Sequence, residues 1–176
     1  MTIRRATALF LGAAGAMLVA LVVAGATGVR WTYTGSIPPG VYHFTSGVPA
    51  RGVIVAVCLR SPVAQFALER RYVRRGRCPS GVEELAKPVL AMVGDTVELG
   101  PNLITVNGRR IPHSESFAQD SRGRPLPHYP WGKYVLQDGD LWLFSPYHPR
   151  SFDSRYFGPV QESQVVAIAR PLATWR

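Results

Sequence analysis

Between Ala6 and Val29 the chain carries no charge, and its only hydroxyls are Thr7 and Thr27 near the ends of the run. As a helix rising roughly 1.5 Å per residue, this run covers about 35 Å, enough to cross a bilayer. Beyond it the period changes. Apolar, β-branched runs at 40–44 and 53–59, bounded by Pro and Gly, predict strands. Val63, Phe66, Ala67, Leu68 and Val73 predict a short amphipathic helix over 62–73 whose charged face is a group of arginines. Strands are expected again at 88–93 and 96–99. The runs 103–106 and 109–111 flank Asn107-Gly108, the commonest type I′ hairpin signal, and 133–136 and 141–144 flank a second turn at Gln137-Asp-Gly-Asp140. A last strand is expected at 165–169. Residues 112–131, rich in Ser, Pro, Gly and charge, predict a long surface loop. Short strands joined by hairpins, with one helical insertion, predict a mainly β, antiparallel domain over 31–176 behind a single transmembrane helix in 1–30.

Charge adds a direction to this plan. Arg4 and Arg5 precede the apolar run, so the positive-inside rule keeps the N-terminus cytoplasmic and exports the rest. A cleaved signal peptide is the alternative, with Ala24-Gly25-Ala26 as its small-residue site. The run is long for a signal core, however, and Arg30 and Trp31 stand where interfacial anchors belong. Both readings place the domain outside the cytoplasm. At 176 residues the chain has room for one domain of ordinary size.

The net charge of +9 comes from scattered arginines and one cluster, Arg70, Arg71, Arg74, Arg75 and Arg77. No recognition-helix or zinc-finger pattern accompanies them, so nucleic acid is not an expected partner. The cluster reads as a solvated face, with anionic lipid or an acidic partner as the alternatives. Cys58 and Cys78 are the only cysteines, and in an exported domain such a pair predicts a disulfide. That bridge would staple the base of an insertion over 58–87. No metal or cofactor site is expected from the residue spacings.

Few residues offer chemistry. His43, His113, His128 and His148 are scattered without metal-ligand spacing, and no Gly-x-Ser-x-Gly elbow is present. A serine would then need another base, and a lysine serves when burial disfavours its ammonium form. Lys87 and Lys133 are the only lysines. Lys87 opens an apolar run whose period-two pattern points it the same way as Val89, Ala91 and Val93, toward the core. The alternative is a lysine at a strand end whose amine snorkels to solvent.

Three stretches then stand out together: Thr34-Gly-Ser-Ile-Pro-Pro-Gly-Val-Tyr42, Lys87-Pro-Val-Leu-Ala-Met-Val-Gly-Asp95, and Ser151-Phe-Asp-Ser-Arg-Tyr-Phe-Gly-Pro159. In order and interval they resemble the boxes of type I signal peptidases, most closely the TraF-type branch of conjugative-transfer peptidases. The segment from Cys58 to Lys87 resembles that branch's insertion. The resemblance implies a Ser36/Lys87 dyad in which Ser36 attacks a peptide carbonyl and neutral Lys87 takes its proton. It implies an oxyanion hole from the Ser36 N–H and the Thr34 hydroxyl, and support from Asp153, from Ser151 bonded to the lysine, and from Arg155 paired with Asp153. It also implies an inner-membrane protein with a periplasmic domain that matures an exported precursor by cleavage after small residues, by resemblance a conjugative pilin, with cyclisation in some members. Ser36 follows the apolar run by only about seven residues, a reach of at most roughly 25 Å, so it is expected near the membrane surface. The loop at Ile37 is expected to touch lipid. Ser145-Pro-Tyr-His-Pro-Arg150 departs from the Gly-Asp-Asn-Arg of housekeeping enzymes. A housekeeping-type signal peptidase and a non-catalytic assembly factor docking through its arginines remain the alternatives.

Overall fold

Strands joined by a tight turn can pair only antiparallel, and every strand pairing among the described residues, those between strands distant in sequence included, is antiparallel. The structure is a computed structural model that describes residues 3–175, and within the N-terminal helix the side chains of 10–19, 22, 23 and 25. That helix, α1 (Ile3–Ala26), leads into β1 (Val29–Thr32), β2 (Gly40–Thr45) and β3 (Ile54–Val57). After α2 (Val63–Glu69) come β4 (Leu85–Met92), β5 (Thr96–Leu99), β6 (Ile104–Val106) and β7 (Arg109–Ile111). The loop expected over 112–131 holds no named strand or helix and ends at β8 (Gly132–Val135). Next are β9 (Asp140–Leu143), α3 (Ser154–Phe157), β10 (Val160–Gln161) and β11 (Val165–Thr174).

The strands form a seven-stranded sheet, β1-β2-β11-β3-β4-β9-β10, and a four-stranded sheet, β7-β6-β5-β8. One core lies between the larger sheet and the two short helices, around Val55, Val57, Ala64, Leu141, Leu143 and Tyr156. A second fills the space under the smaller sheet around Val97, Ile104 and Trp142. The sheets meet at the Gly94-Asp95 turn between β4 and β5. Buried Asp95 accepts hydrogen bonds from the Met92 N–H at 2.9 Å, Asn107 Nδ2 at 2.8 Å and Arg51 Nη2 at 2.8 Å. Although burial raises its pKa, these donors hold the carboxyl below the usual carboxylate range. Asn107 and Gly108 take φ values of 51° and 77°, the left-handed pair a type I′ hairpin requires.

The anchor expected over 1–30 lies partly outside the described residues, as do the side chains of Arg4 and Arg5. Among the described residues no helix is long and apolar enough to cross a membrane. In α1 the described side chains of Phe10, Leu11, Met17, Leu18, Val19, Val22 and Val23 are exposed.

Cys58 and Cys78 are joined, Cα to Cα 5.4 Å, closing the insertion between β3 and β4 as expected. For a sequence separation of 20 the chain-entropy model assigns roughly 3 kcal/mol. Replacing both cysteines with serine should lower the urea midpoint of the full chain accordingly; an unchanged midpoint would show that the bridge constrains nothing.

Three expectations need correction. The helix of the insertion ends at Glu69, not Val73, because Arg71 turns to φ 60° and closes the helix with a left-handed residue. The arginines therefore follow the helix rather than forming its charged face. Val93 does not share the inward face of Lys87, Val89 and Ala91: β4 stops at Met92, and Val93 is 50% exposed at the turn. Ile37 does not face lipid. It is fully buried with Tyr42 and Ala169, a small core that fixes the loop between β1 and β2.

Candidate active site

The loop from β1 to β2 carries Ser36, and its shape follows from what its neighbours bury. With Ile37 inserted below, the Tyr42 hydroxyl donates to the Pro38 carbonyl at 2.7 Å. Gly40 passes so close to β11 that an added Cβ would meet the Ala173 carbonyl oxygen. Gly35 faces the His148 ring, which would lie 3.0 Å from an added Cβ. From the far side, buried Ser145 donates its hydroxyl to the Ser36 carbonyl at 2.6 Å. The two prolines and two glycines are thus a clamped turn, and Ser36 stays half-exposed at its tip.

Lys87 enters from β4. The strand alternates buried and half-buried positions from Leu85 to Met92, and Lys87 falls on the buried face at 2% exposure. Its other candidate, Lys133, sits exposed on β8. Burial lowers the Lys87 ammonium from 10.5 to about 8; Asp153 raises it and Arg155 lowers it further. Because these last two are locked to each other, burial decides the outcome.

Behind the lysine lies an ion pair with no solvent contact. Asp153 and Arg155 are both fully buried, with Arg155 Nε to Asp153 Oδ1 at 2.8 Å and Nη2 to Oδ2 at 2.9 Å. The remaining guanidinium donors reach the Glu115 carbonyl at 2.6 Å, the Ser151 carbonyl at 3.0 Å and the Pro149 carbonyl at 3.2 Å. Asp153 also caps α3 by accepting the Arg155 N–H. A short helix the sequence pattern did not reveal is therefore built around this pair.

Ser36 and Lys87 line one cleft of about 720 Å³, together with Thr34, Gly35, His148 and Ser151. Ser151 is buried, and its Oγ lies 3.3 Å from Ser36 Oγ. Among the described residues, Ser36 Oγ is hydrogen-bonded with Ser151 and not with Lys87, and Ser151 meets the serine rather than the amine. Thr34 is exposed at the rim. Ser36, Lys87, Thr34 and Ser151 come together in the cleft, while Asp153 and Arg155 lie beneath it. Ser145 was missed as a site residue. Its signal was present in the sequence, as the point where the last box departs from the housekeeping pattern, but only the fold shows what that hydroxyl holds.

Chemically, the cleft offers a hydroxyl nucleophile and an amine able to be neutral near physiological pH. It also has open backbone edges. β1 is the first strand of its sheet, and β9 pairs only with the Val89–Met92 half of β4, leaving Leu85–Lys87 unpaired on that side.

The family model described as "Signal peptidase, peptidase S26" matches residues 3–174. The chain is 39% identical over 160 residues to a plasmid transfer protein TraF of Escherichia coli, covering 89% of this chain and 90% of that one. It is 35% identical over 176 residues to a conjugal transfer protein TraF of Agrobacterium fabrum, covering 98% of each. Among solved structures it is similar to a signal peptidase I from Enterococcus faecalis V583, at 20% identity and a TM-score of 0.40, covering 70% of this chain and 98% of that one.

Proposed function

We propose, from the premise that the chain belongs to the signal peptidase, peptidase S26, family, that it is a membrane-anchored endopeptidase with Ser36 as nucleophile and Lys87 as base. The observation that carries this reading is that a half-exposed serine and a buried lysine, its pKa lowered by burial to about 8, line the same cleft. A substrate in extended form adds its backbone to the open edge of β4, the mode by which sheet edges recognise peptides. Ser36 Oγ attacks the scissile carbonyl as Lys87 Nζ takes the hydroxyl proton. The Ser36 N–H and Thr34 hydroxyl receive the oxyanion, donors worth roughly 3 kcal/mol each when aimed at developing charge. Lys87 then returns the proton to the departing amine, and water or another amine resolves the acyl-enzyme. Ser151, held against Ser36, orients the hydroxyl.

Two features support a site at a membrane surface. Trp31 and Tyr33 are exposed just beyond α1, and Trp31 packs on Trp175 with ring centroids 4.7 Å apart. Such aromatic groups favour the headgroup region. The relatives are named as transfer proteins, which supports a role in conjugation; the substrate we propose is an exported component of that apparatus, a pilin subunit. In cells, Ser36→Ala should abolish maturation of that precursor while the protein remains in the membrane fraction. Undiminished processing by this variant would remove the proposal.

The clamp on the nucleophile loop has its own consequence. Ser145→Ala frees the Ser36 carbonyl, and the expected result is about a 10-fold fall in kcat with KM little changed, since misplacing the nucleophile affects the reaction more than binding. A raised KM with kcat unchanged would mean Ser145 acts on substrate binding instead.

A further inference from the structure

The arginines after α2 were expected to form one solvated face, and the fold divides them. Arg70 packs over the Phe66 ring at 5.0 Å and approaches Asp120 at 3.9 Å. Arg71 and Arg74 line the cleft that holds Ser36, and Arg150 joins them from the segment before Ser151. All three cleft arginines are exposed.

Local backbone geometry and side-chain contacts set this group in place. Arg71 holds φ 60° at the end of α2, a position where glycine is the usual residue and a side chain costs strain. The Arg74 N–H donates to Glu83 Oε1 at 3.0 Å, the Glu83 N–H returns a bond to the Arg74 carbonyl at 2.9 Å, and the guanidinium lies 6.0 Å from the Tyr33 ring centroid. Arg150 Nη1 donates to the Gln119 carbonyl at 3.0 Å, with its guanidinium 4.6 Å from the Phe117 ring centroid. Tyr33 is three residues from Ser36, and Arg150 is next to the serine that meets it.

The acidic residues lining the cleft are already engaged. Asp120 accepts Tyr72 Oη at 2.7 Å and Arg124 Nε at 2.7 Å. Glu84 is paired with Arg30 at 2.7 Å, and Glu83 takes the Arg74 N–H. Three guanidiniums from two segments of the chain thus face the cleft without a carboxylate partner among the described residues.

We propose that Arg71, Arg74 and Arg150 form a carboxylate-binding subsite that selects substrates with an acidic group close to the scissile bond. This deepens the peptidase reading and rests on it. The carboxylate comes from an Asp or Glu side chain, or from the chain terminus of a short leaving peptide. In either case the guanidinium fork matches its two oxygens.

The test uses the full chain in detergent micelles and internally quenched peptides with alanines before the cut. One pair of peptides differs by Glu or Gln after the cut, both amidated; a second pair differs by a free or amidated C-terminus. One carboxylate contact is expected to raise kcat/KM about 10-fold at low salt, and the advantage should shrink as ionic strength screens it. A Glu advantage assigns the side chain as source, and an advantage of the free terminus assigns the chain end. In the Arg74→Glu, Arg150→Glu double variant the preference should invert in favour of a further amidated peptide carrying Lys in place of that Glu, which only a folded cleft can show. Equal kcat/KM across both pairs would overturn the subsite, as would a preference unmoved by the reversal. The same peptides are titrated by fluorescence anisotropy against Ser36→Ala. If none is cut by the unmodified protein, the nucleophile assignment fails, while selective binding of the acidic peptides would still uphold the subsite and equal binding would overturn it.

Discussion

Lys87→Met should leave a protein that no longer cleaves peptides and yet unfolds at a higher temperature at pH 7. The loss of cleavage is expected to be about 10⁴-fold or more, as when one member of a nucleophile-base unit is removed. The gain in stability follows from the same burial that lowers the pKa of the lysine. Holding the ammonium in a site that lowers it from 10.5 to about 8 costs the charged form on the order of 3 kcal/mol. Methionine has a similar reach and no charge, so the cost disappears. Asp153 does not depend on the lysine, because Arg155 already satisfies both its oxygens.

The pH dependence separates these two effects. In the proposed mechanism neutral Lys87 is the active form, so kcat/KM of the unmodified protein should rise with pH through about 8 and level above it. Stability moves in the same direction for a different reason. Between pH 8 and 10.5 the unfolded chain binds the lysine proton more strongly than the folded one, so the unmodified protein gains stability as pH rises through that window. Lys87→Met should lack this gain. A flat kcat/KM profile between pH 6 and 9, or a Lys87→Met protein that still cleaves, would dismiss Lys87 as the base.

Arg155→Met should bring the largest loss of stability. Removing one partner from a buried ion pair leaves the other charge uncompensated, at about 3–5 kcal/mol. Here the loss also strips donors from the Glu115, Pro149 and Ser151 carbonyls. Arg155→Lys should restore little of it, since an ammonium cannot supply the planar fork that spans both Asp153 oxygens. A milder consequence reaches the site. Without Arg155, the bare Asp153 charge would raise Lys87 and move the rise in kcat/KM toward higher pH. A drop in the urea-derived stability below about 1 kcal/mol would show that the pair is not the keystone of this segment.

How much of this could be read from the chain is clearest at individual residues. Asn107-Gly108 specified its hairpin because the left-handed geometry is a local property of those two residues. The period-two pattern pointed Lys87 inward, because alternation along a strand needs no partner to be visible. The same reasoning failed one turn later, where β4 ended before Val93. Ile37 was misread for the opposite reason: a single apolar residue in a Pro-Gly loop has no period, and only Tyr42 and Ala169 make it core.

The sequence by itself determined the antiparallel hairpins, the cysteine pairing and the three boxes that nominate Ser36, Lys87 and Asp153. Each depends on local periodicity, turn geometry or residue identity. The tertiary structure alone decided that Ser145 clamps Ser36 across a separation of 109 residues, and that Arg71 and Arg74 meet Arg150 in the same cleft. It also decided that the Asp153–Arg155 pair is sealed from water. Those outcomes depend on which distant surfaces bury one another, and burial is what turns an ordinary lysine into one able to lose its proton near pH 8.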